Sequence, residues 1–202
     1  MDPDRRRMTT EARREQLLAF GRLHFAEHGY EAMPMDAIAE RAGVSKGLLY
    51  HYFGNQRGFY METIRAVTDE VIAITEPPAD QPFGQAFRAM VSRFVGYVQE
   101  HGAVYTALVR GGLGSDTEVN ELLDRVRVSA MSRILELLGI HQPAALSQIA
   151  IYGWVSLVEN ACAEWTATGG ASPGQLVDFF ISAFEPVLDV LQSNGAHERS
   201  GL

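Results

Sequence analysis

The feature that most limits what this chain can fold into is its apolar spacing. Nearly every stretch repeats apolar residues three and four positions apart, and Gly or Pro falls where such stretches end. That is the helical period; a half-buried strand alternates every second residue, and no sustained alternation of that kind occurs. The expectation is an all-α protein of about nine helices. Thr9 or Thr10 caps a first helix to about His28, with Leu17, Phe20, Gly21 and Phe25 on one face and Gly29 as its stop. Pro34 suits the first turn of a short second helix through Arg41, with Met35, Ile38, Ala39 and Ala42 inward and Gly43 at its end. Ser45 caps a third short helix through Tyr52 or Phe53, and Gly54-Asn55 separates it from a long helix at 56–75.

Glu76-Pro77-Pro78-Ala79-Asp80-Gln81-Pro82 is the clearest linker. Further helices are expected at about 83–101, 103–111, 116–139, 143–168 and 173–193. The domain reading is therefore 9–55, followed by a linking helix at 56–75, then a larger helical domain at 76–195. The 202 residues suffice to bury a core without disulfide or metal staples, and the single cysteine, Cys162, allows no internal disulfide.

The net charge of −8 argues against nucleic acid until it is divided along the chain. Residues 1–65 carry ten basic and nine acidic groups, whereas residues 66–202 carry seven basic and 16 acidic. Residues 41–61 hold Arg41, Lys46 and Arg57 and no acid, and Lys46 is the only lysine of the protein. Phosphate contacts require local positive charge, and this window supplies it.

The same window has the outline of a helix-turn-helix. Ala39 is small where a second helix must cross, Gly43 tolerates positive φ in the turn, and Leu49 faces inward from the second helix. Around that skeleton stand Gly29-Tyr30-Glu31-Ala32, Met35-Asp36-Ala37-Ile38-Ala39, Ala42-Gly43-Val44-Ser45-Lys46-Gly47 and Leu49-Tyr50-His51-Tyr52-Phe53. Over roughly residues 10–65 this resembles the DNA-binding domain of the TetR family of bacterial transcriptional regulators.

The resemblance implies a dimer that binds a near-palindromic double-stranded DNA operator, and a variable helical domain with a small-molecule inducer pocket. It implies that Lys46 and Gly47 open a recognition helix, that Tyr50 and Tyr52 reach phosphates or thymine methyls, and that Ser45 and His51 also face DNA. Leu48 stands where the family often has Thr or Ser, so an apolar contact replaces a polar one. The phosphate role of the family's Lys-Glu pair moves to Asn55 or Arg57, because Gln56-Arg57 occupy that position. Met33-Pro34 likewise replaces the usual Thr or Ser before the second helix.

In the larger domain the segments at 143–168 and 173–193 are apolar over more than one face, which calls for burial against a partner subunit. Gly153, Ser156, Asn160, Ala161, Phe180, Phe184 and Val187 are the expected interface, and Pro186 is expected to kink the last helix. An apolar or aromatic ligand is expected among Phe94, Tyr97, Tyr105, Leu108, Met131, Trp154, Val158 and Trp165, with Arg93, Asn160 or Glu159 as polar anchors. Ordinary core packing is the competing reading of each.

Other motifs are set aside. His24-Phe25-Ala26-Glu27-His28 spells a zinc signature but overlaps the core pattern of the first helix, so no metal is expected. Gly111-Gly112-Leu113-Gly114 lacks the lysine and strand of a phosphate loop, and Ser115-Asp116 has no nucleophile signature. No catalytic constellation or cofactor is expected. The longest uncharged apolar run is too short to span a bilayer, and Arg5-Arg6-Arg7 precedes no apolar run, so the expectation is a cytoplasmic protein. The alternative is an all-helical carrier or enzyme with a non-functional helix-turn-helix.

Overall fold

The computed structural model describes residues 9–28, 34–110 and 116–200, with backbone alone for 24–28, 110 and 194–200. The loop at 29–33, the glycine run at 111–114 with Ser115, and the side chains of His24, Phe25 and His28 lie outside the described residues. Within them the chain forms eight helices and no strand. It divides into two compact units, Met1–Val67 and Thr68–Leu202.

The first unit holds α1 (Thr10–His28), α2 (Met35–Arg41), α3 (Lys46–Phe53) and the N-terminal part of α4 (Gln56–Ile74). Thr9 caps α1 through its hydroxyl, which accepts from the Ala12 N–H at 3.1 Å. Leu17, Ile38, Leu49, Phe59 and Ile64 are all within 1% of complete burial, so each contributes about 1.5–3 kcal/mol of transfer free energy. The turn between α2 and α3 is set by Gly43 at φ 64°, in the region a Cβ disfavours. The Val44 N–H closes it by donating to the Ala39 carbonyl at 3.0 Å. Gly21 lets α1 and α4 approach closely: a Cβ there would stand 2.7 Å from both Phe59 Cζ and Thr63 Oγ1.

The second unit holds the rest of α4, then α5 (Phe83–Arg110), α6 (Thr117–Leu137), α7 (Ala145–Thr168) and α8 (Pro173–Ser200). Helices α5, α7 and α8 pack on one another, and α6 packs on α7. The helices expected at 83–101 and 103–111 are one helix, α5, interrupted at His101 (φ −121°, ψ 26°). Their merger turns an expected nine helices into eight. Helix α8 contains Pro186 and runs on past the expected end at 193.

The boundary between units lies inside α4 rather than in the proline-rich stretch. The reason is how each end of α4 is held. Phe59 and Ile64 belong to the first core, whereas Arg125 reaches Asp69 at 2.9 Å and Arg133 donates to the Ile72 carbonyl at 2.6 Å. Arg133 also donates to Thr75 Oγ1 at 2.7 Å and to the Glu76 carboxylate. Arg93 donates to the Glu76 carbonyl at 2.6 Å, so the start of the expected linker is bound to the second unit.

Candidate functional site

Helix α3 is short because it is capped at both ends. Ser45 Oγ accepts from the Leu48 N–H at 3.2 Å, and Gly54 ends the helix at φ 74°. Leu49 and Phe53 point inward, which leaves Lys46, Gly47, Tyr50 and His51 exposed on the opposite face. Leu48 and Tyr52 are half-buried. The Tyr52 ring lies between His51 and Phe53, with centroids 5.8 Å and 6.0 Å away. Ser45, Lys46, Gly47, Tyr50 and His51 thus share one solvent-facing strip, with Leu48 and Tyr52 at its margins.

Asn55 and Arg57 sit just beyond, both exposed. Asn55 does structural work there: its Oδ1 accepts from the Gly58 N–H at 2.8 Å, capping α4. The first turn of α4 contains no acid. Lys46 is not a lone cation. Its Nζ lies 2.7 Å from Asp36 Oδ1 and 3.0 Å from Oδ2, and 5.8 Å from the centre of the Tyr50 ring. The hydrogen bond and charge of Asp36 hold the ammonium above its ordinary value. Charge counting over residues 41–61 missed Asp36, because it enters from the first turn of α2.

Two profiles cover most of the chain. Residues 17–63 match the family described as bacterial regulatory proteins, tetR family, and residues 83–185 match the tetracyclin repressor-like C-terminal domain. The chain belongs to the TetR family. Its curated relatives and structural neighbours are described as transcriptional regulators. A TetR-family transcriptional regulator from Streptomyces coelicolor superposes with a TM-score of 0.80 at 29% identity, covering 96% of this chain and 89% of that one. The HTH-type transcriptional activator FasR of Mycolicibacterium smegmatis is 28% identical over 56% of this chain and 52% of its own length. The HTH-type transcriptional repressor AcnR of Corynebacterium glutamicum is 27% identical over 39% of this chain and 40% of its own length. The chain thus spans about half or less of these two curated relatives.

The TetR-type second unit divides the expected ligand-lining residues into separate groups. Phe94 meets Tyr105 edge-on at 5.8 Å, and Tyr105, Leu108 and Val158 are buried, with Met131 half-buried. Tyr105 donates its hydroxyl to the Glu159 carbonyl at 3.0 Å. Tyr97 pairs with His101 at 4.5 Å. Trp154 lies elsewhere, between Phe87 and Phe184, with its N–H donated to the Phe180 carbonyl at 3.0 Å. Trp165 donates to the Ala171 carbonyl at 2.8 Å.

Of the expected polar anchors, Arg93 is engaged by the Glu76 carbonyl and Asn160 donates to the Ser156 carbonyl. Glu159 pairs with Arg127, Oε2 to Nε at 2.8 Å, and Arg127 also holds Asp124 at 2.6 Å. Arg127 was not among the expected residues; its spacing from Asp124 was readable, its meeting with Glu159 was not. Burial pushes the Glu159 carboxyl up, and Arg127 offsets part of that. Burial likewise raises Tyr105 well above its ordinary value and pushes the Cys162 thiol up to about 12.

The expected dimer residues also divide. Phe180 and Phe184 are buried at 0% and 2% exposure in the unit's own core, so they cannot line an interface. Their neighbours carry the exposed apolar surface instead: Leu146, Ile149, Tyr152 and Leu157 on α7 and Phe179 on α8. Gly153 and Asn160 are exposed and Ser156 half-buried along the same helical stripe of α7, whereas Ala161 and Val187 are half-buried. Among the described residues no group of three or more His, Cys, Asp or Glu is placed to hold a metal, and no helix is long and apolar enough to cross a membrane.

Proposed function

We propose that the protein is a ligand-responsive repressor that binds a near-palindromic operator as a homodimer and is released by a small apolar or aromatic ligand. The observation that carries this reading is the solvent-facing strip of α3, where Ser45, Lys46, Gly47, Tyr50 and His51 stand together on a helix capped at both ends. A helix of that kind enters the major groove with its N-terminal residues on base edges, and Tyr52, Leu48, Asn55 and Arg57 extend the contact to backbone and thymine methyls.

The homodimer forms through the apolar stripe of α7 with Phe179, since a patch this apolar on a regulator marks an association surface. It sets two recognition helices about 34 Å apart, or a multiple of that distance. The ligand occupies the neighbourhood of Phe94, Tyr105, Leu108, Met131 and Val158, and acts because it prefers the state that does not bind DNA. Helix α4 carries the change, since Arg125 and Arg133 grip its C-terminal end and Arg93 holds Glu76 just beyond it. The protein works in the cytoplasm.

The test is an electrophoretic shift with duplex flanking the protein's own gene. Lys46→Ala and Tyr50→Phe should each weaken it, and affinity should fall steeply with salt. Retained affinity in both variants would overturn the contact assignment. In the same preparation Ile149→Asp should sediment as a monomer; an unchanged dimer would move the interface elsewhere.

A further inference from the structure

Asp36 is an acid set against the cation that opens the recognition helix. Both side chains are well exposed, Lys46 at 55% and Asp36 at 68%. An exposed pair contributes little to stability, so support of the fold does not account for the arrangement. Its consequence is electrostatic. Lysine has three N–H donors, and both oxygens of Asp36 lie within hydrogen-bond distance of Nζ, so the ammonium is neutralised and aimed at once. Tyr50 flanks it on the same face.

We propose that Asp36 is a specificity-determining residue, which converts Lys46 from a phosphate-binding charge into a directional donor to a base edge. The proposal rests on the DNA-binding reading above and goes beyond it. Binding to arbitrary duplex is driven by counterion release, which counts net positive charge at the interface. A lysine offset by a carboxylate adds little to that count, and the carboxylate itself repels the backbone. At a guanine, the remaining N–H reaches O6 or N7 without surrendering Asp36, so the matched site keeps its contact. Asp36 therefore lowers affinity for wrong DNA more than for right DNA, which is how a repulsive element builds discrimination.

The experiment needs no known operator. Fluorescence anisotropy is read for the full chain on two duplexes, one of scrambled sequence and one selected from a random pool by the wild-type protein. Asp36→Asn should bind the scrambled duplex about threefold more tightly near 0.1 M salt. The slope of log K against log salt should steepen by about 0.9, one additional phosphate contact. Affinity for the selected duplex should hold or fall, so the ratio between duplexes shrinks. In a Lys46→Ala background, Asp36→Asn should lose most of its effect. Glu40→Gln, which removes an exposed acid from the same helix, should leave the slope contributed by Lys46 in place.

If Asp36→Asn matches wild type on scrambled duplex, or tightens both duplexes equally, the role of Asp36 is overturned. Persistence of its full effect without Lys46 overturns it too, by reducing Asp36 to a general negative charge. Asp36→Glu, which keeps the charge, should restore the wild-type ratio and separates this role from loss of folding. Failure of wild-type protein to bind any duplex would instead sink the DNA-binding reading itself.

Discussion

Replacing Gly58 with alanine sets two physical arguments against each other. Gly58 is the third residue of α4, and its N–H donates to the Asn55 cap at 2.8 Å. Helix propensity alone predicts that Gly58→Ala stabilises by about 1 kcal/mol. The tertiary structure predicts the reverse. A Cβ at Gly58 would stand 2.1 Å from the Phe53 carbonyl oxygen, where ordinary contact begins at 3.4 Å. The obstacle is backbone and cannot rotate aside, so the corner between α3 and α4 must open by about 1.3 Å. That opening also strains the bond from the Asn55 N–H to the same oxygen, now 2.8 Å. Overpacking of this severity costs about 3 kcal/mol, which leaves a net loss of about 2 kcal/mol after the propensity gain.

Urea denaturation read in two ways isolates the effect. Both tryptophans, Trp154 and Trp165, lie in the second unit, so their fluorescence follows that unit, while far-ultraviolet circular dichroism follows all helices. With a slope near 1 kcal/mol per molar urea for so small a unit, part of the dichroism transition should move down by about 2 M. The fluorescence transition should stay in place, and affinity for selected duplex should fall, because the corner positions α3. A dichroism transition that moves up would show that propensity outweighs the contact and would refute the close approach at Phe53.

Three further outcomes test the second unit. Arg133→Met removes the donors to Ile72, Thr75 and Glu76 while keeping the aliphatic stem; it should cost about 1.5–3 kcal/mol and speed amide exchange in the last turn of α4, and unchanged exchange would dismiss Arg133 as an anchor. Cys162, fully buried with its thiol pushed up to about 12, should resist thiol reagents at pH 8 until urea unfolds the chain. The unfolded chain releases that proton at the ordinary thiol value of 9.0 and the folded one does not, so Cys162 contributes a stability that is complete below pH 9 and lost as pH rises toward 12; Cys162→Ala should flatten that decline.

Much of the helix-turn-helix was legible because its requirements are local. Gly43 must adopt positive φ within the turn, Ser45 caps a helix that starts at the next residue, and Leu49 lies at a spacing that turns it inward. Other features were invisible for the opposite reason. Asp36 and Lys46 are ten residues apart on different helices, and only the crossing of α2 and α3 joins them. Asn55 reads as a phosphate contact, and the structure adds a role the sequence did not show: its oxygen accepts from the Gly58 N–H, which depends on where α4 starts. Trp154 read as a ligand wall, yet its ring and N–H are both engaged by α5 and α8.

By itself, then, the sequence determined the helices, their caps and breaks, the solvent-facing strip of α3 and the family. Each follows from forces acting within a few residues or from a dense local motif. Tertiary structure decided which apolar residues of a multi-faced helix are covered. On α8 it buried Phe180 and Phe184 and left Phe179 exposed at 52%. Successive residues of a helix point about 100° apart, so the sequence shows that all three aromatics are apolar. Only the neighbours α5 and α7 settle which of them meets the core and which waits for another surface.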